Sequence, residues 1–182
     1  SAVNCIMQDS KGFMWFGTED GLNKYDGYNF TIYKNNPKDS NSISANWITA
    51  ILEDSDATGN IFWIGTRGGG LVKFNVENET FRRYKHNPAN PNSLSHNIVR
   101  TIYKDKTGMM WIGTSGGGLN RFDLVHEKFT HYKNDPLNPN TLSDDDVRAI
   151  YEDKSGAIWI GTYNGGLDKL LRKDGFEKEN AV

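Results

Sequence analysis

Long hydrophobic runs are missing from this sequence, and so is a strong charge of either sign. The longest apolar stretches, such as MMWI at residues 109–112, are too short to span a bilayer, so we expect no membrane insertion of this segment. A net charge of −2 over 182 residues offers no basic surface for nucleic acid or an anionic membrane. No charged segment followed by an apolar one opens the chain, so no signal peptide is visible.

Cysteine and clustered histidine are also scarce. Cys5 is the single cysteine, which excludes an internal disulfide and a cysteine-based metal cluster. None of the four histidines forms a close pair at metal-ligand spacing, so we expect no metal site. The 3.6-residue periodicity of amphipathic helices is absent as well, and no helix of useful length fits between the turns.

What the sequence does contain is a fourfold repeat. Trp15, Trp63, Trp111 and Trp159 are each 48 positions apart, a period typical of solenoids and propellers. Each unit holds short segments rich in Ile, Val, Phe, Tyr and Trp, bounded by Gly, Asp and Asn, which indicates strands. Four short antiparallel strands per unit make one β-propeller blade. The sequence therefore predicts an all-β chain of four four-stranded blades, at about residues 1–45, 46–95, 96–143 and 144–182.

Small residues recur at one place in the first strand of each unit, namely Cys5, Ala50, Thr101 and Ala149. The first strand of a blade lies nearest the propeller axis, where only small side chains fit. Cys5 is therefore expected to be a core spacer rather than a nucleophile. The tryptophans are expected to fill the wider space between blades.

The glycines after each tryptophan admit two interpretations. A phosphate-binding loop needs a strand, a Gly-rich loop and then a helix, but GTSGGGL at 113–119 connects two strands. We therefore expect no cofactor, and hairpin turns in which glycine allows a positive φ. The glycines expected to do so are Gly68, Gly69, Gly116, Gly117 and Gly165.

The motif W-[IF]-G-T-x-x-G-G-L-x-x-[FY], preceded by D-x-x-G, resembles the two-component regulator propeller repeat over essentially the whole chain. The resemblance implies an extracytoplasmic, that is periplasmic or extracellular, sensor of a membrane-bound signalling protein, often a hybrid histidine kinase. In some members it implies recognition of carbohydrate breakdown products. The first unit departs from the pattern, with Glu19 and Asp20 replacing one Gly of the turn, and so does the last, with Leu170 where the others have Tyr or Phe.

The repeated aspartates Asp9, Asp54, Asp105 and Asp153 also resemble the Asp-box of sialidases, in which Asp and Gly shape a turn. A catalytic pair would break the repeat rather than follow it. We therefore expect structural aspartates and no catalytic residue.

Positions that vary between units are the candidates for ligand binding, because residues that are identical in every repeat are expected to maintain the fold. They lie in the turn after Gly-Thr and in the loop that leads into each first strand. These two places share one face of a blade, so we expect them to converge around one mouth of the central channel. The candidates are Glu19, Asp20, Asn46, Trp47, Arg67, His96, Asn97, Ser115, Asp145, Asp146, Tyr163 and Asn164.

The leading functional hypothesis is a non-enzymatic sensor module that binds a small molecule, a glycan or a partner. The alternatives are a propeller-type glycosidase or lyase, and a pure protein-interaction scaffold. Because a propeller closes into a ring, we also expect a homodimer through blade faces, with two chains forming an eight-bladed ring.

Overall fold

The structure is a computed structural model that describes residues 1–54, 60–171 and 175–177. Strands, turns and loops make up these residues, and none of them is helical. Accordingly, no helix able to cross a membrane occurs in the described ranges. The predicted all-β fold is confirmed.

The described strands form four antiparallel sheets, each with its strands in sequence order, and we call these sheets blades 1 to 4. Blade 1 contains β1 (Val3–Gln8), β2 (Met14–Thr18), β3 (Gly21–Tyr25) and β4 (Phe30–Tyr33). Blade 2 contains β5 (Ile48–Glu53), β6 (Ile61–Thr66), β7 (Leu71–Asn75) and β8 (Thr80–Tyr84). Blade 3 contains β9 (Val99–Lys104), β10 (Met110–Thr114), β11 (Leu119–Asp123) and β12 (Lys128–Tyr132). Blade 4 contains β13 (Val147–Glu152), β14 (Ile158–Thr162), β15 (Leu167–Leu171) and β16 (Gly175–Glu177).

Each blade lies inside one of the four predicted segments, whose exact boundaries stay a prediction. Residues 55–59, 172–174 and 178–182 of those segments lie outside the described residues. The chain divides into two compact units. The first is Ser1–Lys85 with Asn97–Val99, and the second is His86–His96 with Arg100–Val182. Blades 1 and 2 belong to the first unit, and blades 3 and 4, apart from Val99, belong to the second.

In blades 1, 3 and 4 the repeated Asp-x-x-Gly forms a tight turn that is tied to the tryptophan. We call the hydrogen-bonded pair of aspartate and tryptophan, which blade 2 also has, the Asp–Trp bracket. In blade 1, Asp9 Oδ1 accepts hydrogen bonds from the backbone N–H groups of Lys11 and Phe13, at 3.0 and 2.8 Å. Its other oxygen, Oδ2, accepts the indole N–H of Trp15 at 2.8 Å. The corresponding carboxylate–indole distances in blades 2, 3 and 4 are 3.2, 2.8 and 2.8 Å. These contacts give the repeated aspartates the structural role expected for them.

Trp15 and Trp111 lie in the cores that join neighbouring blades within each unit. In the first unit, Trp15 packs edge-on against Phe62 of blade 2, with ring centroids 4.9 Å apart, and close to Phe74. In the second unit, Trp111 is 4% exposed and belongs to a buried cluster with Ile158 of blade 4. Burial of such large rings between sheets is a major source of stability.

The small first-strand residues lie opposite a glycine of the second strand. Cys5 pairs with Gly17, and a Cβ placed on Gly17 would overlap the Cys5 sulfur. In blade 3 a Cβ on Gly113 would lie 2.7 Å from Thr101 Cγ2. The next blade crowds the same glycines, since a Cβ on Gly17 would also lie 2.7 Å from Ile48 Cγ2 and one on Gly113 would lie 2.6 Å from Val147 Cγ1. Burial raises the pKa of the Cys5 thiol to about 11, with a smaller opposing effect from a hydrogen bond to Gly17, which agrees with a core spacer.

Candidate functional site

The turn between the second and third strands carries many of the candidate residues, and its geometry is fixed by the Thr of the Gly-Thr motif. The hydroxyl groups of Thr18, Thr66, Thr114 and Thr162 each donate a hydrogen bond across the turn, at 2.8–3.0 Å. The acceptor in each case is the carbonyl of the last glycine of the turn. One threonine per blade therefore holds the turn, and the side chains between are free to differ.

The expected conformation of the turn glycines is only partly correct. Gly68 and Gly116 have positive φ values of 105° and 87°. For Gly69, Gly117 and Gly165 the prediction of a positive φ is wrong. These three are glycines because a Cβ would collide with a serine of the loop that precedes the blade, as shown by the 2.6 Å approach to Ser95 Oγ at Gly117. Close packing, rather than backbone freedom, accounts for them.

The serines at these contacts, Ser44, Ser95 and Ser143, differ in their hydrogen bonding. Ser95 exchanges two hydrogen bonds with the side chain of buried Asn120, at 2.9 and 2.7 Å. Ser143 makes equivalent bonds to Asp168 at 2.9 and 2.8 Å. Blade 2 has Val72 at the corresponding position of its third strand. Ser44 Oγ is accordingly buried without a hydrogen-bond partner among the described residues.

Three candidates in the connecting loops, Asn46, Asn97 and Asp145, hold the preceding turn through their backbone. The Asn46 carbonyl accepts the N–H of Gly21 at 2.8 Å. The Asn97 and Asp145 carbonyls each accept two glycine N–H groups of the preceding turn, at 2.8–3.0 Å. The side-chain oxygens of Asn46 and Asp145 also accept a backbone N–H each, both at 2.7 Å. The structure thus gives these half-buried residues a scaffold role, and ligand binding by them stays a prediction.

The first unit brings Trp47 and Arg67 together. The guanidinium carbon of Arg67 lies 4.3 Å from the centroid of the Trp47 ring, and the Arg67 N–H donates to the Trp47 carbonyl at 2.9 Å. Arg67 is exposed and Trp47 is half-buried. A stacked pair of this kind is worth roughly 0.5–1 kcal/mol at an exposed site, so it orients both groups without burying them.

Glu19 and Asp20 lie in the corresponding turn of blade 1, and both are exposed. Asp20 Oδ2 forms an ion pair with Lys34 Nζ at 2.6 Å. The Glu19 N–H donates to the Ala2 carbonyl at 3.2 Å. An exposed ion pair of this type contributes roughly 0–1 kcal/mol, so these carboxylates have little structural function.

The second unit links Ser115, Asp146 and Tyr163 through an arginine that was not among the candidates. Arg148 binds Asp146 with two nitrogens, at 2.8 and 3.1 Å, and lies 4.4 Å from the centroid of the Tyr163 ring. Ser115 Oγ donates to Asp146 Oδ2 at 2.8 Å and accepts a 3.3 Å bond from Arg100. We call these five residues the Asp146 network. The signal for Arg148 was available, because residues i and i+2 of a strand share one face.

His96, Asn164 and Asp144 lie in the same unit. Burial lowers the pKa of His96, with smaller lowering contributions from neighbouring His86 and Lys133 and an opposing one from Asp146. The Asn164 N–H donates to Asp144 Oδ2 at 2.8 Å.

The three consecutive aspartates of this loop bind different partners rather than one centre. Asp144 accepts backbone N–H groups, including that of Asn164, Asp145 accepts the Asn134 N–H, and Asp146 pairs with Arg148. Over residues 1–54, 60–171 and 175–177, no three acidic, histidine or cysteine side chains come close enough to hold a metal ion.

Comparison with known proteins agrees with this geometry. A family model for the two-component regulator propeller matches residues 1–20, 93–116 and 141–164. The matches leave out blade 2, where Asp54 and Trp63 are nine residues apart instead of the six that separate Asp9 and Trp15. Histidine kinase P4 of Formosa agariphila is 61% identical over 44 residues, which are 24% of this chain and 3% of that protein.

Two solved structures from B. thetaiotaomicron share the fold. The extracellular domain of BT3049, assigned to the hybrid two-component systems, is 33% identical with a TM-score of 0.85, over 97% of this chain and 24% of that one. The extracellular domain of BT4673, assigned to the one-component systems, is 25% identical with a TM-score of 0.78 and the same coverage. The chain thus spans about a quarter of these structures. Three segments of the chain match the two-component regulator propeller repeat, and the chain as a whole resembles part of the extracellular domain of a hybrid two-component system.

Proposed function

We propose that this chain is a recognition part of an extracytoplasmic sensor, located in the periplasm or outside the cell, and that it performs no catalysis of its own. The similarity to the extracellular domain of a hybrid two-component system and to that of a one-component system supports the compartment and the sensor role. The ligand class that we propose is a glycan or a similar polar small molecule.

One observation carries the proposal. In each unit an arginine lies over an aromatic ring in the same part of a blade, with Arg67 on Trp47 in one and Arg148 on Tyr163 in the other. Tyr163 is 65% exposed, so one face of a rigid ring remains open to solvent beside charged hydrogen-bonding groups. Aromatic surface with a few oriented polar groups is the usual lining of a small-molecule site.

The acidic groups near these rings support binding rather than glycoside hydrolysis. A glycosidase needs a carboxylic acid with a raised pKa next to a second carboxylate. Burial tends to raise the pKa of Asp144, but hydrogen bonds from the N–H groups of Asn164 and Asp146 outweigh it and lower the pKa overall. Asp146 is occupied by Arg148 and Ser115.

The test uses calorimetric titration of the 182-residue chain with three oligosaccharide panels: neutral, uronate-containing and sulfated. We expect at least one panel to bind, and we expect Trp47→Ala or Tyr163→Ala to weaken that binding by about tenfold or more, since exposed aromatic anchors dominate such sites. Val125→Ala is the matched control, because Val125 is 85% exposed and lies in the turn at the other end of its blade.

Three outcomes would contradict the proposal. Binding that survives both aromatic substitutions would place the site elsewhere. Cleavage of a bound oligosaccharide would favour the enzyme hypothesis. If none of the three panels binds, the hypothesis of glycan recognition is rejected. The hypothesis of a protein-interaction scaffold is then favoured.

A further inference from the structure

A β-bulge lies near the start of the first strand in blades 1, 2 and 4, next to the turn that carries many of the candidate residues. The residues that the strand pairing skips are Asn4, Thr49 and Arg148. Arg100 has the same position in blade 3, where VRTIYKD at 99–105 aligns with VRAIYED at 147–153. A bulge redirects the side chain of its extra residue and is common beside functional sites. We call these four the bulge positions.

In the first unit the bulge positions carry neutral side chains that bind the protein itself. Asn4 Nδ2 donates a hydrogen bond to the Ile48 carbonyl at 2.8 Å. Thr49 Oγ1 donates one to the carbonyl of Val99, which belongs to the same unit, also at 2.8 Å. Each acceptor lies in the first strand of the next blade, so these two side chains have a structural role.

The second unit has arginine at both bulge positions, and the two arginines differ in their partners. Arg148 is neutralised by its two-nitrogen ion pair with Asp146. Arg100 is half-buried, and its Nη2 donates a long 3.3 Å hydrogen bond to Ser115 Oγ. Its Nε is buried without a hydrogen-bond partner among the described residues, none of which forms an ion pair with Arg100 either. Because a buried charge needs a counter-ion, an anion added beside Arg100 is stabilised.

Ser115 connects the two arginines. Its Oγ accepts the bond from Arg100 and donates at 2.8 Å to Asp146 Oδ2, the oxygen that Arg148 Nη2 also binds, at 3.1 Å. Two guanidinium groups therefore surround one directly bound carboxylate. The Asp146 network is thus short of one negative charge for its two arginines.

The two aspartates that precede Asp146 do not neutralise Arg100. Asp144 accepts two backbone N–H groups and Asp145 accepts one. Hydrogen bonds from N–H groups stabilise the ionised form of a carboxylate, so both side chains are held by the backbone of their own blade and its neighbouring loop. The missing negative charge must then come from outside the chain.

We propose that Arg100 and Arg148 bind an oxoanion group of the ligand, and that the ligand is therefore an acidic oligosaccharide with carboxylate or sulfate groups. This inference rests on the proposed function, because it names the class of glycan that the Asp146 network binds. Carboxylate and sulfate oxygens match the parallel N–H groups of a guanidinium, and one such anion balances the charge of the network. Tyr163, stacked on Arg148 and 65% exposed, offers its ring face to the adjoining sugar.

Calorimetric titration of the 182-residue chain at low ionic strength, with matched pairs of oligosaccharides, tests the proposal. One pair is a uronate oligosaccharide and the same compound after reduction of its carboxylates to alcohols. The other pair is a sulfated oligosaccharide and its desulfated form. We expect the acidic member of at least one pair to bind, and its neutral counterpart to bind about tenfold more weakly or not at all, because charge-assisted hydrogen bonds are the stronger ones. The pair that shows the difference identifies the anion.

Arg100→Gln tests the arginine itself. We expect the affinity for the acidic member to fall by about tenfold or more, and that for the neutral member to stay unchanged. Arg121→Gln is the matched control, because it removes the same charge from an exposed arginine of β11 in the same blade. Thermal unfolding checks that both variants fold. Arg100→Lys keeps the charge but loses the planar fork, so it should also weaken acidic binding, and it replaces Arg100→Gln if that variant does not fold.

The inference and the proposed function fail in different ways. If no oligosaccharide of either pair binds, both are overturned. If the acidic and neutral members bind equally well, or the neutral members alone bind, glycan recognition stands and the oxoanion site is overturned. Acidic binding that survives the substitution of Arg100 overturns the site as well. An equal loss in Arg121→Gln has the same consequence, because it would show an effect of net charge alone.

Discussion

In all four blades an aspartate carboxylate binds the indole N–H at 2.8–3.2 Å, whereas the turn after Gly-Thr presents glutamate, arginine, serine or tyrosine. Both features belong to the same hairpin of each blade. The difference follows from solvent access: a buried indole N–H must find an acceptor, whereas an exposed turn held by its threonine accepts any side chain. The Asp–Trp bracket therefore belongs to the structural framework of each blade. The side chains of the turn can differ between blades and so can serve ligand recognition.

Replacing a bracket tryptophan should have the largest effect. Trp111→Ala is expected to reduce the free energy of unfolding by about 3–5 kcal/mol, because a ring in a packed core leaves a cavity. Trp159→Ala should cost clearly less, because Trp159 is half-buried. Urea denaturation of both variants measures the difference. Equal losses would contradict the difference in burial between the two tryptophans.

The bracket carboxylate should come next. Asp105→Asn turns an amide N–H₂ toward groups that are themselves donors, namely the indole of Trp111 or the backbone N–H of Met109. A buried donor left without an acceptor costs about 1–3 kcal/mol, and we expect a loss in this range by urea denaturation. A neutral result would mean that the indole N–H finds another acceptor.

The same carboxylate predicts an acid limit to stability. Burial tends to raise the pKa of Asp105, but hydrogen bonds from Thr107, Trp111 and Met109 outweigh it and hold the pKa below its ordinary 3.8. A group with a depressed folded-state pKa contributes stability above its unfolded pKa and loses it as pH falls through the folded value. Wild-type stability should therefore fall below about pH 4. Asp105→Asn should lose less over this range, and parallel pH profiles would refute the assignment.

A turn residue should matter less than the bracket. Ser115→Ala removes a hydroxyl that donates to Asp146 and accepts from Arg100, so we expect a loss of about 1 kcal/mol. Thermal unfolding at neutral pH measures it. A loss as large as that of Asp105→Asn would make this turn part of the scaffold.

The smallest effect is expected at Ser44. Ser95→Ala should cost about 1 kcal/mol, since Asn120 Nδ2 loses the Ser95 hydroxyl as an acceptor and keeps only its longer bond to the Ile112 carbonyl. Ser44→Ala should cost about 0 kcal/mol or stabilise slightly, because its buried hydroxyl has no partner to lose. Urea midpoints of the two variants compare them directly, and equal losses would indicate that Ser44 is hydrogen-bonded in solution.

The sequence predicts the strands and turns that repeat in every blade. It does not predict the contacts between residues that lie far apart in the chain. The Trp spacing and the Asp-x-x-Gly turn predicted the all-β fold, because each depends on local backbone chemistry. The sequence does not explain why residues 69 and 117 are glycines, because the serines that crowd them lie more than twenty residues earlier in the chain. Asn46 and Asp145 are candidates because these positions vary between units, whereas their carbonyls and side-chain oxygens accept backbone N–H groups. Arg148 lies in a strand rather than in a variable loop, so comparison of the loops does not select it although it binds Asp146.

The position of Cys5 against Gly17 has a practical consequence for spectroscopy. A thiol with a pKa of about 11 is ionised in only about one molecule in a thousand at pH 8, and the ionised form is the one that reacts with maleimides. The chain therefore behaves in labelling chemistry almost as if it had no cysteine. A single cysteine introduced at an exposed position such as Val125 would take up a fluorophore or spin label selectively, with no need to replace Cys5 and disturb the strand pair it fills.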